Sequence, residues 1–430
     1  MAMVSLPPPP LADRRAKAAW CVYDWANSAF PTVIVTFVFA AYFAKAVAAN
    51  PIEGASLWGI ALSVSGVAIA LISPVVGAIA DRRGRRKPWL AGFTLLCVIA
   101  SALLWFTLPE PGSIVWGLTL FAIANLAFEV GTVFYNAMLP GIARSSEIGR
   151  LSGWGWGLGY AGGLCCLALA LVVLIQPETP PFGLDKESAE HIRIVGPLVA
   201  VWFLVFSLPL YLFTPDAPPT GLTTGLPIGM GVRDGMIALG RTLKSIHRTG
   251  PVFRFLLARL LYVDGLNTLF AFGGIYAAGT FGMEIDEIIL FGIALNLTAG
   301  LGAAGFAWID DWIGPRRTVL IALSAIIIIG IPLLLIDSKT AFWALGLCIG
   351  IFMGPAQAAS RSLMARLAPP DQMTEMFGLF ALSGKATAFL GPAVLALVTT
   401  AFASQRAGMA TVLVFITAGA LILLTVRENS

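Results

Sequence analysis

The sequence predicts an all-α polytopic membrane protein, with twelve transmembrane helices arranged as two pseudo-symmetric six-helix bundles. Three observations carry that expectation. Of 430 residues, 58% are apolar and only 12% charged, about half the charge of an ordinary soluble chain. The apolar residues gather into twelve runs long enough to cross a bilayer. Motifs in the first six runs also return, in the same order, in the last six. A chain so poor in charge cannot wet the surface of a globule, which excludes a soluble enzyme, a disordered protein and a secreted disulfide scaffold.

The runs cover residues 18–47, 56–80, 88–108, 113–139, 152–176 and 194–213, then 252–279, 285–309, 317–336, 341–364, 377–401 and 408–426. The first is too long for a cleaved signal peptide and contains Asp24, so it is expected to stay as a span. Residues 1–17, with Pro7 to Pro10, are expected to form a disordered cytoplasmic tail. Residues 18–213 make one bundle and 252–430 the other. Between them, 214–251 is rich in Pro, Gly and Thr and is expected to be a central cytoplasmic loop. If the N-terminus is cytoplasmic, the inner segments hold eighteen basic residues, among them Arg14, Arg82, Arg144, Arg150, Arg316 and Arg366. The outer segments hold five: Lys45, Lys186, Arg193, Lys339 and Arg406. This positive-inside bias puts both termini in the cytoplasm, and the expected location is the plasma membrane, the inner membrane of a bacterium. The net charge of +4 has the same origin and implies no nucleic-acid partner.

The five cysteines, Cys21, Cys97, Cys165, Cys166 and Cys348, lie inside apolar runs without metal-ligand spacing and are expected to be small buried hydrophobes. His191 and His247 fall in polar connections. With no nucleophile motif, phosphate loop or nucleotide fold, the expectation is no enzyme, no metal, no cofactor and no ATP-driven machinery.

The duplication rests on three matches. The first run contains Asp24, Asn27, Ser28 and Phe30; the seventh contains Asp264, Asn267, Thr268 and Phe270. Both read D-x-x-N-[S/T]-x-F, 240 residues apart. After the second run come Gly77, Asp81, Arg82, Gly84, Arg85 and Arg86, and after the eighth a worn copy, Asp311, Gly314, Arg316 and Arg317. The fifth and eleventh runs share a glycine pair, Gly153 and Gly159 against Gly378 and Gly384. Three matches in one order point to a repeated six-helix unit.

G-x-x-x-D-[RK]-x-G-[RK]-[RK] is the signature loop of the major facilitator superfamily, and Gly77 to Arg86 match it in full. With twelve spans, a long central loop and parallel halves, the chain resembles that superfamily over nearly its whole length. More narrowly, Tyr23 to Phe30, Phe134 to Pro140, Ser360 to Leu363 and Ser383 to Pro392 resemble the vacuole-effluxer-like branch, related to the autophagy-linked amino acid exporters of fungal vacuoles. The resemblance implies secondary transport by alternating access. It also implies a conformational latch: in similar transporters the aspartate in the place of Asp81 meets a basic side chain and a helix N-terminus from the other half, holding the outward-open state. The basic cluster around it, Arg82 to Lys87, also holds the loop inside and touches lipid headgroups. Trp312 and Pro315 replace Arg82 and Arg85 in the second loop, so a weaker latch is expected there.

Ionisable groups at membrane depth cost at least about 2.5–3.5 kcal/mol on insertion scales. Asp24, Glu129, Asp264 and Lys385 lie well inside their spans; Arg259 and Arg361 lie nearer the inner ends, where they either snorkel or reach inward. Apart from Lys385 on the eleventh span, these charges fall on the first, fourth, seventh and tenth, the helices that line the central cavity in the superfamily. Asn125, Glu129, Thr132 and Asn136 follow i, i+4, i+7, i+11 as one stripe. Asp24, Asn27 and Ser28 share a face, as do Asp264, Asn267 and Thr268, and Gln357 and Arg361 are one turn apart. Such groups cannot face lipid. They line a cavity or make hydrogen bonds between helices, alternatives that remain open here. Arg259 and Asp264, about 140° apart around one helix, cannot bridge each other.

The first half supplies carboxylates, Asp24 and Glu129. The second supplies Arg361 and Lys385 beside Asp264. A zwitterion fits that pattern, with its amine toward the first half and its carboxylate toward the second, so the expected substrate is an amino acid, with export favoured by the resemblance. Proton coupling would rest on Glu129, Asp264 or Asp24; sodium, held by the same carboxylates with Asn27 or Asn267, stays open. The fifth span is rich in glycine around Trp154, Trp156 and Tyr160 but lacks the proline of the drug-antiporter signature. An exporter of amphipathic drugs or lipids is the second reading, and a receptor or scaffold on a transporter fold a remote third. A monomer is expected, with membrane lipids as its surroundings.

Overall fold

The computed structural model describes residues 12–217 and 250–428, with Ile237 and Gly240 between them. The expected tail before Ala12 and nearly all of the expected central loop lie outside the described residues. Among the described residues, twelve helices are long and apolar enough to cross a membrane. In the first half these are α1 (Arg14–Val47), α2 (Pro51–Arg82), α3 (Lys87–Phe106), α4 (Pro111–Ile142), α5 (Ser145–Ile175) and α6 (Glu190–Phe213). In the second they are α7 (Gly250–Phe281), α8 (Ile285–Ile313), α9 (Pro315–Leu335), α10 (Lys339–Leu367), α11 (Pro370–Phe402) and α12 (Gln405–Leu423). The protein is an all-helical, multi-pass membrane protein. Side chains such as Leu71, Leu212, Ile328 and Leu397 are exposed on its perimeter, as a lipid-facing surface requires.

The chain ends of these helices follow local chemistry. Helix α1 starts at Arg14 rather than at residue 18, so the end of the expected tail is helical. Asp13 caps it, accepting the backbone N–H of Ala16 at 2.7 Å and satisfying one of the donors a helix start leaves unpaired. Helix α2 stops at Gly84, whose φ of 79° lies in the left-handed region open to glycine. Beyond Pro31, α1 widens, with Val38 N–H bonding the Val33 carbonyl at 3.0 Å; such i→i+5 turns are rare and recur at functional sites. Helix α11 is broken at mid-depth into Met373–Lys385 and Leu390–Phe402. The break stands between Gly384 and Gly391-Pro392, where the proline lacks the N–H that would continue the ladder.

Twelve crossings put both described chain ends on one face, here the basic face, with Arg82, Arg86, Arg150, Arg316 and Arg366. The halves meet where α2 packs on α11 and α5 on α8. Glycine permits both approaches. A methyl at Gly378 would stand 2.6 Å from the Pro74 Cα, and one at Gly153 would stand 2.6 Å from the Ala303 carbonyl oxygen. The second glycine of each repeated pair turns to the first helix of its own bundle. Gly159 lies against Ser28 of α1, and Gly384 against Arg259 of α7.

Candidate transport site

At the basic face two aspartates each cross from one half to the other. Asp81, at the end of α2, accepts the backbone N–H groups of Thr374 (3.0 Å) and Glu375 (2.8 Å) at the start of α11. Arg86 stands 3.7 Å from the Asp81 carboxylate and donates to Thr374 Oγ1 at 3.1 Å and to the Ala137 carbonyl at 2.9 Å. Burial holds the Arg86 pKa below its ordinary value, with Asp81 and Asp216 acting in the opposite sense. Gly77 makes room, since a methyl there would lie 2.5 Å from the Thr374 carbonyl oxygen. Arg82 is partly buried and Arg85 exposed.

The second loop departs from the expectation of a weaker contact. Asp311 accepts the backbone N–H groups of Gly149 (2.8 Å) and Arg150 (3.1 Å) at the start of α5, then Arg150 Nε at 2.9 Å and Arg366 Nη2 at 3.2 Å. The lost loop arginines are replaced by arginines of α5 and α10. In both places a carboxylate meets the positive end of a helix dipole. The geometry needs only the aspartate, so Trp312 and Pro315 do not disturb it.

Deeper, Asp24 of α1 accepts Arg361 Nη1 of α10 at 2.9 Å. The guanidinium also donates to the Ser152 hydroxyl (2.9 Å) and carbonyl (2.7 Å) on α5 and to Asn136 Oδ1 (3.3 Å) on α4. Arg361 is 3% exposed, so it does not snorkel. Arg259 does not snorkel either: it lies over the Phe380 ring and donates to the Ser383 hydroxyl at 2.8 Å.

About seven residues further along α4, roughly 10 Å toward the opposite face, Glu129 accepts Lys385 Nζ of α11 at 2.6 Å, and the two side chains keep 23% and 31% of their exposure. Lys385 is the last residue before the α11 break, where a helix C-terminus favours a cation. Among the described residues, the hydrogen bonds and ion pairs that cross between the halves run from the basic face to this depth. The outermost are Glu129–Lys385 and a long contact from Gln357 to the Tyr160 hydroxyl at 3.4 Å. The halves are thus fastened at the basic face, and no such link is described beyond mid-depth.

Other candidates face elsewhere. Asp264 is 3% exposed and turned into its own bundle, where Oδ2 accepts the Gly391 N–H at 3.0 Å, the second residue of the outer α11 segment. Asn125 donates to Ser65 of α2 at 2.8 Å, a hydrogen bond inside the first bundle. These two are corrections to a cavity placement. The stripe on α4 is real, but its first member points at a neighbouring helix. Asn27 is buried, accepting from Ser28 at 3.3 Å, and Asn267 is exposed. Ser152, Trp20 and Tyr135 were missed. Trp20 stands one turn before Asp24 and Tyr135 beside Asn136, a signal open to a face-by-face reading; Ser152, in a run of glycines, gave none.

Residues 45–149 and 145–430 match the profile of the family described as "Vacuole effluxer Atg22 like". The chain belongs to the Atg22-like family. It is 24% identical over 417 residues to the MFS-type transporter YxiO of Bacillus subtilis (strain 168), covering 96% of this chain and 95% of that one. It is 25% identical over 276 residues to autophagy-related protein 22-1 of Penicillium rubens, covering 60% of this chain and 45% of the fungal protein. Two of the solved structures that share the fold illustrate the match. One is the major facilitator superfamily transporter FucP in the outward conformation, with a TM-score of 0.76 at 12% identity, over 97% of this chain and 100% of that one. The other is the proton:xylose symporter XylE, with a TM-score of 0.74 at 14% identity, over 96% of each. This Atg22-like chain is therefore a major facilitator superfamily transporter and not an enzyme. Three of the four stretches that resemble the branch meet at Arg361, supplying Asp24, Asn136 and Arg361 itself; the fourth supplies Lys385 and Gly391, which contact Glu129 and Asp264.

Proposed function

We propose that the protein exports a small zwitterionic solute, most simply an amino acid, by alternating access coupled to protons. The observation that carries this is the Glu129–Lys385 pair. It is the one ion pair at mid-depth among the described residues whose two side chains both keep more than a fifth of their surface open, and it offers both charges a zwitterion needs, one from each half. A solute replaces the pair, its ammonium on Glu129 and its carboxylate on Lys385. A proton on Glu129 removes the charge that holds the solute ammonium, so proton and solute compete for one carboxylate, as an exporter that exchanges them requires. Asp81 and Asp311 serve as latches at the basic face. The positive-inside bias supports reading that face as cytoplasmic and the likeness to a bacterial transporter supports an inner membrane; on that reading a shut basic face belongs to an outward-facing state. Export rests on the resemblance to amino acid exporters.

The test uses purified protein in liposomes with an imposed pH gradient and a pH dye inside, to which amino acids, dipeptides and amphipathic cations are added singly. Proton movement with one amino acid, lost in Glu129→Gln, is the expected result. Movement with amphipathic cations alone would replace the substrate class, and movement unchanged in Glu129→Gln would remove that residue from coupling.

A further inference from the structure

We propose that the first bundle carries a second solute station: a cation box that Arg361 fills while the basic face is shut, and that a guanidinium or amine cation of the solute fills when it opens. Every wall of the box belongs to the first half. Asp24 supplies the carboxylate, Ser152 a carbonyl and a hydroxyl, and Asn136 an amide oxygen, all within 3.3 Å of the guanidinium. Trp20, Tyr135 and Trp156 place their ring centroids 4.9, 5.6 and 5.8 Å from its central carbon, distances at which an aromatic face attracts a cation. Arg361 alone comes from the second half.

The walls do not need Arg361 to hold them. Trp20 and Tyr135 stack at 4.3 Å, and each bonds the other's backbone: Trp20 Nε1 donates to the Tyr135 carbonyl at 3.2 Å, and the Tyr135 hydroxyl donates to the Trp20 carbonyl at 3.0 Å. Gly155 leaves the space, since a methyl there would stand 2.9 Å from Arg361 Nη2. The box is therefore preformed and shaped for a planar cation.

Parting the halves at the basic face must withdraw α10 and its guanidinium from this box. Asp24 is then left as a carboxylate without a counter-charge among aromatic rings, a state that burial strongly disfavours. A cation of a solute entering through the opened basic face restores the pairing and makes that opening depend on cargo, with Glu129 one tier further out. The inference rests on the alternating-access reading, because only separation of the halves empties the box, and it adds a preference for solutes bearing a guanidinium or amine.

The experiment is binding rather than transport. Full-length Arg361→Ala in detergent is titrated with methylguanidinium chloride against equal sodium chloride, with tryptophan fluorescence and Tm as readouts. The expected result is a saturable fluorescence change and a Tm gain of about 2 °C or more over sodium, both lost when Asp24→Asn is added. Should Arg361→Ala not accumulate, the protein carrying Asp81→Asn and Asp311→Asn, which frees the basic face, is titrated in the same way with the same expectation. Equal responses to the two salts would overturn the box and leave Asp24 a partner of Arg361 only. Amino-acid-driven proton flux with no cation binding removes the box and keeps the transport reading; cation binding without such flux does the reverse.

Discussion

Glu129 and Asp24 show how one residue type takes two roles through its surroundings. Both are carboxylates of the first half and both pair with a cation of the second, yet the first stays open and the second is sealed. Breaking a buried pair by removing one partner costs about 3–5 kcal/mol, and an exposed one about 0–1. Arg361→Ala is therefore expected to lower stability by about 3–5 kcal/mol, while Glu129→Gln, at a quarter exposed, falls between the two ranges, about 1–3 kcal/mol. Thermal unfolding of both variants in the same detergent checks the order; a larger loss in Glu129→Gln would contradict it. Asp264 is expected to tolerate Asn better than Ala, because the amide oxygen still accepts the Gly391 N–H whereas Ala strands it, at about 1–3 kcal/mol. Equal Tm values for the two variants would show that this hydrogen bond contributes nothing.

At the scale of elements, α5 and α11 do the work of joining the halves, and their glycines have assignable neighbours. Gly162 faces the α1 backbone, where a methyl would stand 2.7 Å from the Trp25 Cα, while Gly59 has nothing within 4 Å. Gly162→Ala is expected to destabilise by about 1–3 kcal/mol through overpacking. Gly59→Ala is expected to be neutral or to stabilise by up to about 1 kcal/mol through helix propensity. Expression level and Tm of the pair decide this, and a milder effect at Gly162 than at Gly59 would refute the packing. The α11 break is flanked from one neighbouring helix: Arg259 of α7 holds the Phe380 carbonyl and Ser383 before it, and Asp264, five residues on, holds Gly391 after it. The two residues that cannot bridge each other instead brace both sides of the same interruption.

At the scale of the molecule, the two aspartates proposed as latches cross between the halves in near-equivalent ways. Each aspartate accepts two backbone N–H groups from the opposite half, and bonds to a charged acceptor contribute about 1.5–3 kcal/mol apiece. Replacing one latch is expected to leave the face largely shut, and Asp81→Asn with Asp311→Asn to open it, since 1.4 kcal/mol already shifts a population tenfold. A cysteine at Ala358, buried beside Ser152, reports this through its reactivity in a background lacking the exposed Cys165 and Cys348. Reactivity in the double variant no higher than in wild type would mean the latches do not set the state.

The number of helices and, to within seven residues, their ends were legible in the chain alone. Hydrophobic length and the 3.6-residue period are local properties, fixed by neighbours in sequence. Partners were not. Asp24 meets a residue 337 positions away, and its repeat counterpart Asp264 turns inward to the break of α11. Asn125 leaves the stripe it belongs to by period. Which face of a helix meets which neighbour depends on rotation about its axis and on how closely two helices approach. Those were set across the halves by glycine contacts such as Gly77 against Thr374 and Gly153 against Ala303, which only the assembled bundles bring together.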